Sequence, residues 1–380
     1  MNVITTERLP IKLWLGDIED GALQQARNLA NLPFVYKWIA IMPDSHQGYG
    51  MPIGGVMATQ GVIVPNAVGV DIGCGMIAVK TDLHGIETET LKQVMGEIRK
   101  VVPVGFSHHN DEQIWDGFDK APDIEIIQKE LLSARKQLGT LGGGNHFIEI
   151  QHDEENNIWI MIHSGSRNFG FKTATEYHHK AQFLCEKWFS NIPDKELSFL
   201  PIETKEGKEY FEAMKYCLMF AQENRSLMMR NVLDVLYNET GAISEREINI
   251  HHNYAAYEHH FGKDVIVHRK GATKANKGLI GIIPGSMGTT SYIVEGLGNP
   301  ESFESCSHGA GRKMGRKEAS KTLSLEQERE KMGNVIHGLR TDKDLDEAPG
   351  AYKDIDIVME NQKDLVRPIV TLKPLASIKG

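Results

Sequence analysis

The apolar positions of this chain change period repeatedly, from helical spacing to short continuous runs and back again. Leu23, Ala26 and Ala30 recur at helical spacing and predict a helix over 17–31. The same periodicity predicts helices over 87–101, 123–138, 171–189 and 206–237, with two more near 312–333 and 353–364. Apolar, β-branched runs at 35–41, 55–64 and 76–80 predict strands, the second closed by Pro65-Asn66. Runs at 147–151, 158–162, 264–267, 279–283 and 292–294 read the same way, and a last strand falls near 367–372. Strands and helices interleaved in this manner predict a mixed α/β fold, with central β-sheets flanked by helices. No low-complexity stretch, fixed-period repeat or linker interrupts the pattern, so residues 1–380 are expected to form a single compact domain.

Composition adds boundaries. Hydrophobic residues at 41% and charged residues at 24% are ordinary for a soluble globular enzyme. No apolar run approaches the roughly 20 residues needed to span a bilayer. Met1 to Pro10 has neither a basic start nor an apolar segment of the secretory kind. Four cysteines are too few for a disulfide framework, so a reducing cytoplasm is the expected location. A net charge of −9 argues against a protein that coats nucleic acid non-specifically, but it leaves room for a local basic groove.

The candidate chemistry starts at Val68-Gly69-Val70-Asp71-Ile72-Gly73-Cys74-Gly75-Met76, where a carboxylate and a glycine-flanked thiol can close around a metal ion. His146, His163 and His252, each beside glycine, asparagine or serine, complete a set with Asp71 and Cys74. A bridging thiolate would let these five ligands serve two ions. Imidazole and thiolate favour zinc, whereas carboxylate and phosphate oxygens favour manganese or magnesium, so ligand type does not choose the ion. A lone histidine is ordinarily structural, and the pairs His108-His109, His178-His179 and His259-His260, which lack such neighbours, are read that way. Glycine-rich loops at 142–145, 284–288 and 308–312 let backbone N–H groups approach an anion, though none matches a Walker or dinucleotide-binding pattern. Arg167, Arg269-Lys270 and Arg312 lie in polar, glycine-bearing loops suited to phosphate.

Together these motifs resemble the RtcB family of RNA-splicing ligases. The matching text begins at Met42-Pro43-Asp44-Ser45-His46-Gln47-Gly48-Tyr49-Gly50 and continues through 68–76, 138–150, 163–167, 251–254, 269–272, 281–288, 307–312 and 352–356 to Ile378-Lys379-Gly380. Ten ordered blocks thus cover nearly the whole chain. Ser45 and Gln47 depart from the family's usual first motif, and the chain is shorter than many members; neither departure touches a proposed ligand.

The resemblance implies a GTP-dependent ligase using two Mn²⁺ ions, which joins an RNA 3′-phosphate or 2′,3′-cyclic phosphate end to a 5′-hydroxyl end in RNA repair or tRNA splicing. It implies that His308 takes GMP onto its ring, and that Asp71, Cys74, His146, His163 and His252 hold metal. It further implies guanylate contacts from Asn145, His146, Phe147, Ile148, Glu149, His252, Asn253, Pro284, Gly285, Ser286, Met287, Ser291, His308, Gly309, Ala310, Gly311 and Lys379, with Lys379 reading the base. Lys270 and Arg312 are expected to stabilise charge on the transferring phosphoryl group, Asp44 to orient His308 or a water, and Arg167 to grip an RNA phosphate. An archease-type activator is an implied partner; no membrane is. A metal-dependent phosphoesterase could use the same cluster, without need of a covalent guanylate, and a decayed, non-catalytic RNA-binding relative would lack one of these residues.

Overall fold

The computed structural model describes residues 1–380. Its frame is two large sheets. The first has six strands in the order Asn2–Ile4, Ile11–Leu13, Val35–His46, Ile53–Thr59, Lys263–Lys270 and Asn253–His260. The second has seven, in the order Ser244–His251, Gly75–His84, Asn157–Ser164, Phe147–His152, Val366–Lys379, Ser291–Gly296 and Ile280–Ile283. Every pairing within the second sheet is antiparallel. In the first, only Ile11–Leu13 runs parallel to its neighbour Val35–His46.

Helices cover the second sheet. The longest, Lys205–Thr240, starts at Thr204, whose side chain accepts from Gly207 N–H, and stops at Gly241 in the left-handed region (φ 76°) that glycine adopts without strain. Met228, Met229, Val232 and Leu236 from this helix join Leu91, Val94 and Ile98 of helix Thr88–Val101 over the sheet residues Ile77, Ile148, Ile160 and Ile162. The other side of the long helix packs with Phe169, Tyr177 and Ile127 from helices Arg167–Lys187 and Glu125–Gln137.

The mixed α/β class holds, with several boundaries moved. The strand expected over 55–64 ends at Thr59, because the chain turns at Gly61 (φ 71°) before a short Val62–Ile63 pair. The helix expected over 312–333 is two short ones, Arg316–Thr322 and Leu325–Met332, separated where Leu323 takes an extended conformation. The last strand is more than twice the expected length and carries Lys379 into the second sheet. Strands Ser244–His251 and Asn253–His260 were not anticipated, since their half-exposed, histidine-bearing faces break the apolar run that marks a buried strand.

Candidate metal centre and facing histidine

Strand register explains why residues far apart in sequence meet. In the second sheet Gly75 lies opposite both Ser164 and His251, Met76 lies opposite His163, and Phe147 also lies opposite His163. Cys74, His146, His163 and His252 therefore arrive at one end of four adjacent strands. The chain then crosses from the second sheet to the first at His252, whose N–H donates to Cys74 O at 2.9 Å.

The donor atoms form two triads that share the thiol: Cys74, His163 and His252, and Asp71, Cys74 and His146. Within each, all candidate donor atoms lie within 4.8 Å of one another. Cys74 Sγ is 3.2 Å from His163 Nε2 and 3.5 Å from His146 Nε2, which lies 3.2 Å from Asp71 Oδ2. The far ring nitrogens are committed elsewhere: His146 Nδ1 is 3.0 Å from Leu141 O, and His163 Nδ1 is 3.0 Å from Asn145 O. A carbonyl accepts only from N–H, so both rings carry their proton on Nδ1 and turn the Nε2 lone pair toward the thiol. Asp71 Oδ1 is buried without a partner. Buried lone pairs, an orphaned carboxylate oxygen and a shared sulfur fit one or two divalent cations.

Burial, followed by the neighbouring His146 and His308, holds the His163 imidazole well below its ordinary value, and His252 behaves likewise. Both are neutral and ready to ligate. Burial raises Asp71, but its neighbours His146 and Arg167 prevail and hold it below the usual carboxylate range. Burial pushes the Cys74 thiol well up, so a cation entering here displaces a proton.

His308 faces this cluster, its ring centroid 4.8 Å from that of His252. Asp44, fully buried on strand Val35–His46, accepts from His308 Nδ1 at 2.6 Å and from its backbone N–H at 3.1 Å. The pair fixes the tautomer and leaves Nε2 as a free lone pair. Two glycines make room: a Cβ on Gly54 (φ 81°) would sit 2.9 Å from Asp44 Oδ1, and one on Gly271 (φ 59°) would sit 3.1 Å from His308 Cε1.

Some of the residues expected around a guanylate also lie close to one another. Ala310 N–H donates to Pro284 O at 3.0 Å, which seats the 308–311 loop on the 284–288 loop. Ser291 Oγ accepts from Gly285 N–H at 3.1 Å and from Gln151 Nε2 at 3.3 Å, and Gln151 also donates to Glu149 Oε2 at 2.8 Å. Lys379 Nζ lies 4.9 Å from the centre of the Phe147 ring. Asn253 accepts Gly271 N–H on Oδ1 and donates to Asp71 O. Ile148 points instead into the hydrophobic core under the sheet. Met287 packs with Met332, Leu339 and Leu345.

Glu149 supports a pH prediction. Burial pushes its carboxyl up to about 7, against the pull of Lys379. An unfolded chain ionises this group near ~4.3. As pH rises through that window the unfolded chain releases a proton that the folded chain keeps, so stability falls, by about 4 kcal/mol in total. Above pH 7 both states are ionised and the loss is constant. Glu149→Gln should therefore raise the melting temperature more at pH 8 than at pH 5; an equal gain at both would refute the assignment.

The cations divide. Lys270 is buried and donates to Tyr49 O at 2.6 Å and Asn66 O at 3.0 Å; burial lowers it to about 7 although Glu196 pulls upward. Arg167, at positive φ (61°), lies against Gly142 and reaches Thr140 Oγ1 at 3.3 Å. Arg312 is already engaged, 3.1 Å from Glu347 Oε1 and over the Tyr352 ring, so a phosphate must compete with Glu347 for it. His108-His109, His178-His179 and His259-His260 stand outside the cluster, in keeping with their structural reading.

Two site residues were missed. His46 shares the Asp44 motif; its Nδ1 lies 3.1 Å from Asp44 O, and burial lowers it to about 4. Arg225, fully buried on the long helix, donates to Gly73 O at 2.9 Å, Ser164 O at 3.0 Å and Asn249 Oδ1 at 2.9 Å. Its neighbour Asn224 holds Gly139, Thr140 and Gly165. The one available signal was a polar Asn-Arg pair set in an apolar helical face. Arg225→Met would remove a buried donor from the carbonyls of Gly73, next to Cys74, and of Ser164, next to His163. It should cost about 3 kcal/mol in urea unfolding and lower metal content; a variant as stable as the parent would show that those carbonyls need no donor.

A mixed α/β frame holding a buried carboxylate–thiol–imidazole cluster opposite a carboxylate-oriented histidine defines a candidate metal-assisted transfer centre. A model of the family described as tRNA-splicing ligase RtcB matches residues 25–128 and 115–380. The chain is 41% identical to the RNA-splicing ligase RtcB of Escherichia coli, over all of this chain and 99% of that one. It is 32% identical to the tRNA-splicing ligase RtcB of Pyrobaculum aerophilum, over 98% and 95% of the two chains. A third relative, the RNA-splicing ligase RtcB of Mycobacterium bovis, is 31% identical over 94% of this chain and all of its own. The chain belongs to the RtcB family.

Proposed function

We propose that this chain is an RNA ligase that uses GTP and two Mn²⁺ ions to join RNA 3′-phosphate or 2′,3′-cyclic phosphate ends to 5′-hydroxyl ends through a histidine–GMP intermediate. The observation that carries this reading is the Asp44–His308 pair at 2.6 Å, which frees Nε2 beside the metal-type cluster. A hydrolase needs only water there; an oriented imidazole lone pair is what nucleophilic transfer requires.

His308 Nε2 attacks the α-phosphorus of GTP, an N–P bond forms, the bond to the bridging oxygen breaks, and pyrophosphate leaves. Asp44 retains its hydrogen bond to Nδ1–H and stabilises the positive ring. An oxygen of the RNA 3′-phosphate then attacks the phosphorus on His308, and the N–P bond breaks to give an RNA end capped with GMP. Finally the 5′-hydroxyl oxygen attacks the 3′-phosphorus, loses its proton, and GMP departs. A cyclic phosphate end must first be opened by water. Cations held by Asp71, Cys74, His146, His163 and His252 would offset the phosphate charge throughout. Lys270 adds a buried point charge, and Glu149, Ser291 and Lys379 line the side that would receive guanine.

Incubation with α-labelled GTP and Mn²⁺, then denaturing electrophoresis, should leave label on the protein, and added RNA ends should remove it as joined product appears. Phosphate release from an unlabelled protein would instead identify a phosphoesterase and sink this reading.

A further inference from the structure

Phe106 is completely exposed, on a loop that touches the candidate site. One exposed apolar side chain is ordinary on a protein surface. Its setting is not. The loop is fastened on both sides of Phe106. Gly105 N–H donates to Gly142 O at 2.8 Å, Leu141 N–H to Pro103 O at 2.9 Å, and His109 N–H to Lys136 O at 3.1 Å. Gly105 itself takes φ 64°, a conformation that turns the chain outward, and Ser107 N–H closes the turn on Val104 O. The ring is thus presented from an anchored tip.

The surface beneath is the glycine loop 142–144 that leads into His146. A Cβ on Gly143 would come within 3.8 Å of Gly105 Cα. A Cβ on Gly142 would meet the Arg167 guanidinium, and one on Gly144 would lie 2.6 Å from that of Arg316. Two arginines therefore flank the strip of bare backbone that meets Gly105, the residue before Phe106. Arg316 is half-exposed despite its contact with Glu347. Cations, bare backbone and an unpaired aromatic ring on adjoining loops suit the alternating phosphate and base of a single strand.

We infer that Phe106 is a stacking platform for a nucleobase at the 3′-phosphate end of the RNA, with Arg167 and Arg316 on the adjoining phosphates. This rests on the proposed ligase reading for the identity of the strand. Because every base offers a π-face, the contact discriminates single-stranded from paired ends rather than one sequence from another.

The test uses the full chain and an RNA ending in 2-aminopurine and a 3′-phosphate. In the parent protein and in Phe106→Trp, binding should quench the 2-aminopurine. In Phe106→Ala the quench should vanish and the Kd by anisotropy should rise about 5- to 100-fold. Transfer of labelled GMP to the protein, which needs no RNA, should be unchanged in all three. An unchanged Kd in Phe106→Ala overturns the inference, and so does a parallel loss of GMP transfer, which would mean the ring supports the loop instead. Absence of label on the parent would count against the ligase reading alone, since the quench and Kd report on stacking without it.

Discussion

His308→Ala is expected to leave no GMP on the protein and no RNA joining, because no other free imidazole lone pair faces the cluster. His146 and His163 turn theirs inward onto the thiol, and the ring of His252 is wedged between those of His163 and His308. Asp44→Asn is the sharper variant. It keeps the shape but presents an amide that can donate, which lets His308 carry its proton on Nε2 and hides the nucleophile. Loss of the carboxylate that fixes a catalytic imidazole's tautomer costs about 10⁴ in rate elsewhere, and a comparable fall in the rate of GMP transfer is expected here. A labelled His308→Ala protein would place the nucleophile elsewhere; an Asp44→Asn protein within tenfold of the parent would reduce the aspartate to a packing role.

The second large effect concerns Cys74. It is the member common to both triads, so its loss reaches every candidate ion position. Cys74→Ser replaces a potential bridging thiolate with a hydroxyl that stays protonated. Removing an outer-shell partner costs roughly 10–100-fold in metal affinity, and removal of a shared ligand should exceed that. Elemental analysis after dialysis against Mn²⁺ should show the metal bound by the parent gone, with GMP transfer lost in step. Since burial raises the thiol, uptake by the parent should weaken as pH falls and release protons as it proceeds. Full metal content in the serine variant would end the assignment.

Much of this was readable from sequence, for a physical reason. Polar motifs at strand ends keep their glycines and histidines together, so Asp71/Cys74, Asn145-His146 and His163–Arg167 could be picked out as short words. Helical periodicity found the long helix, whose buried face repeats regularly over many turns. What failed was whatever depends on a distant partner. Arg225 has no local motif, because the groups it holds come from Gly73, Ser164 and Asn249. Arg312 reads as a free phosphate ligand until Glu347 arrives beside it from 35 residues on. The 312–333 stretch has helical composition, yet its first residues pair with Tyr352 and Ala351 next to the His308 loop and cannot join the helix.

The crossing at His252 has a wider consequence. One residue is both the hinge pin between two large sheets and a candidate ligand. Sliding of either sheet would pull this imidazole off any ion it held, so rigidity of the frame and occupancy of the centre would become a single property. An ion seated there acts as a rivet through the middle of the molecule.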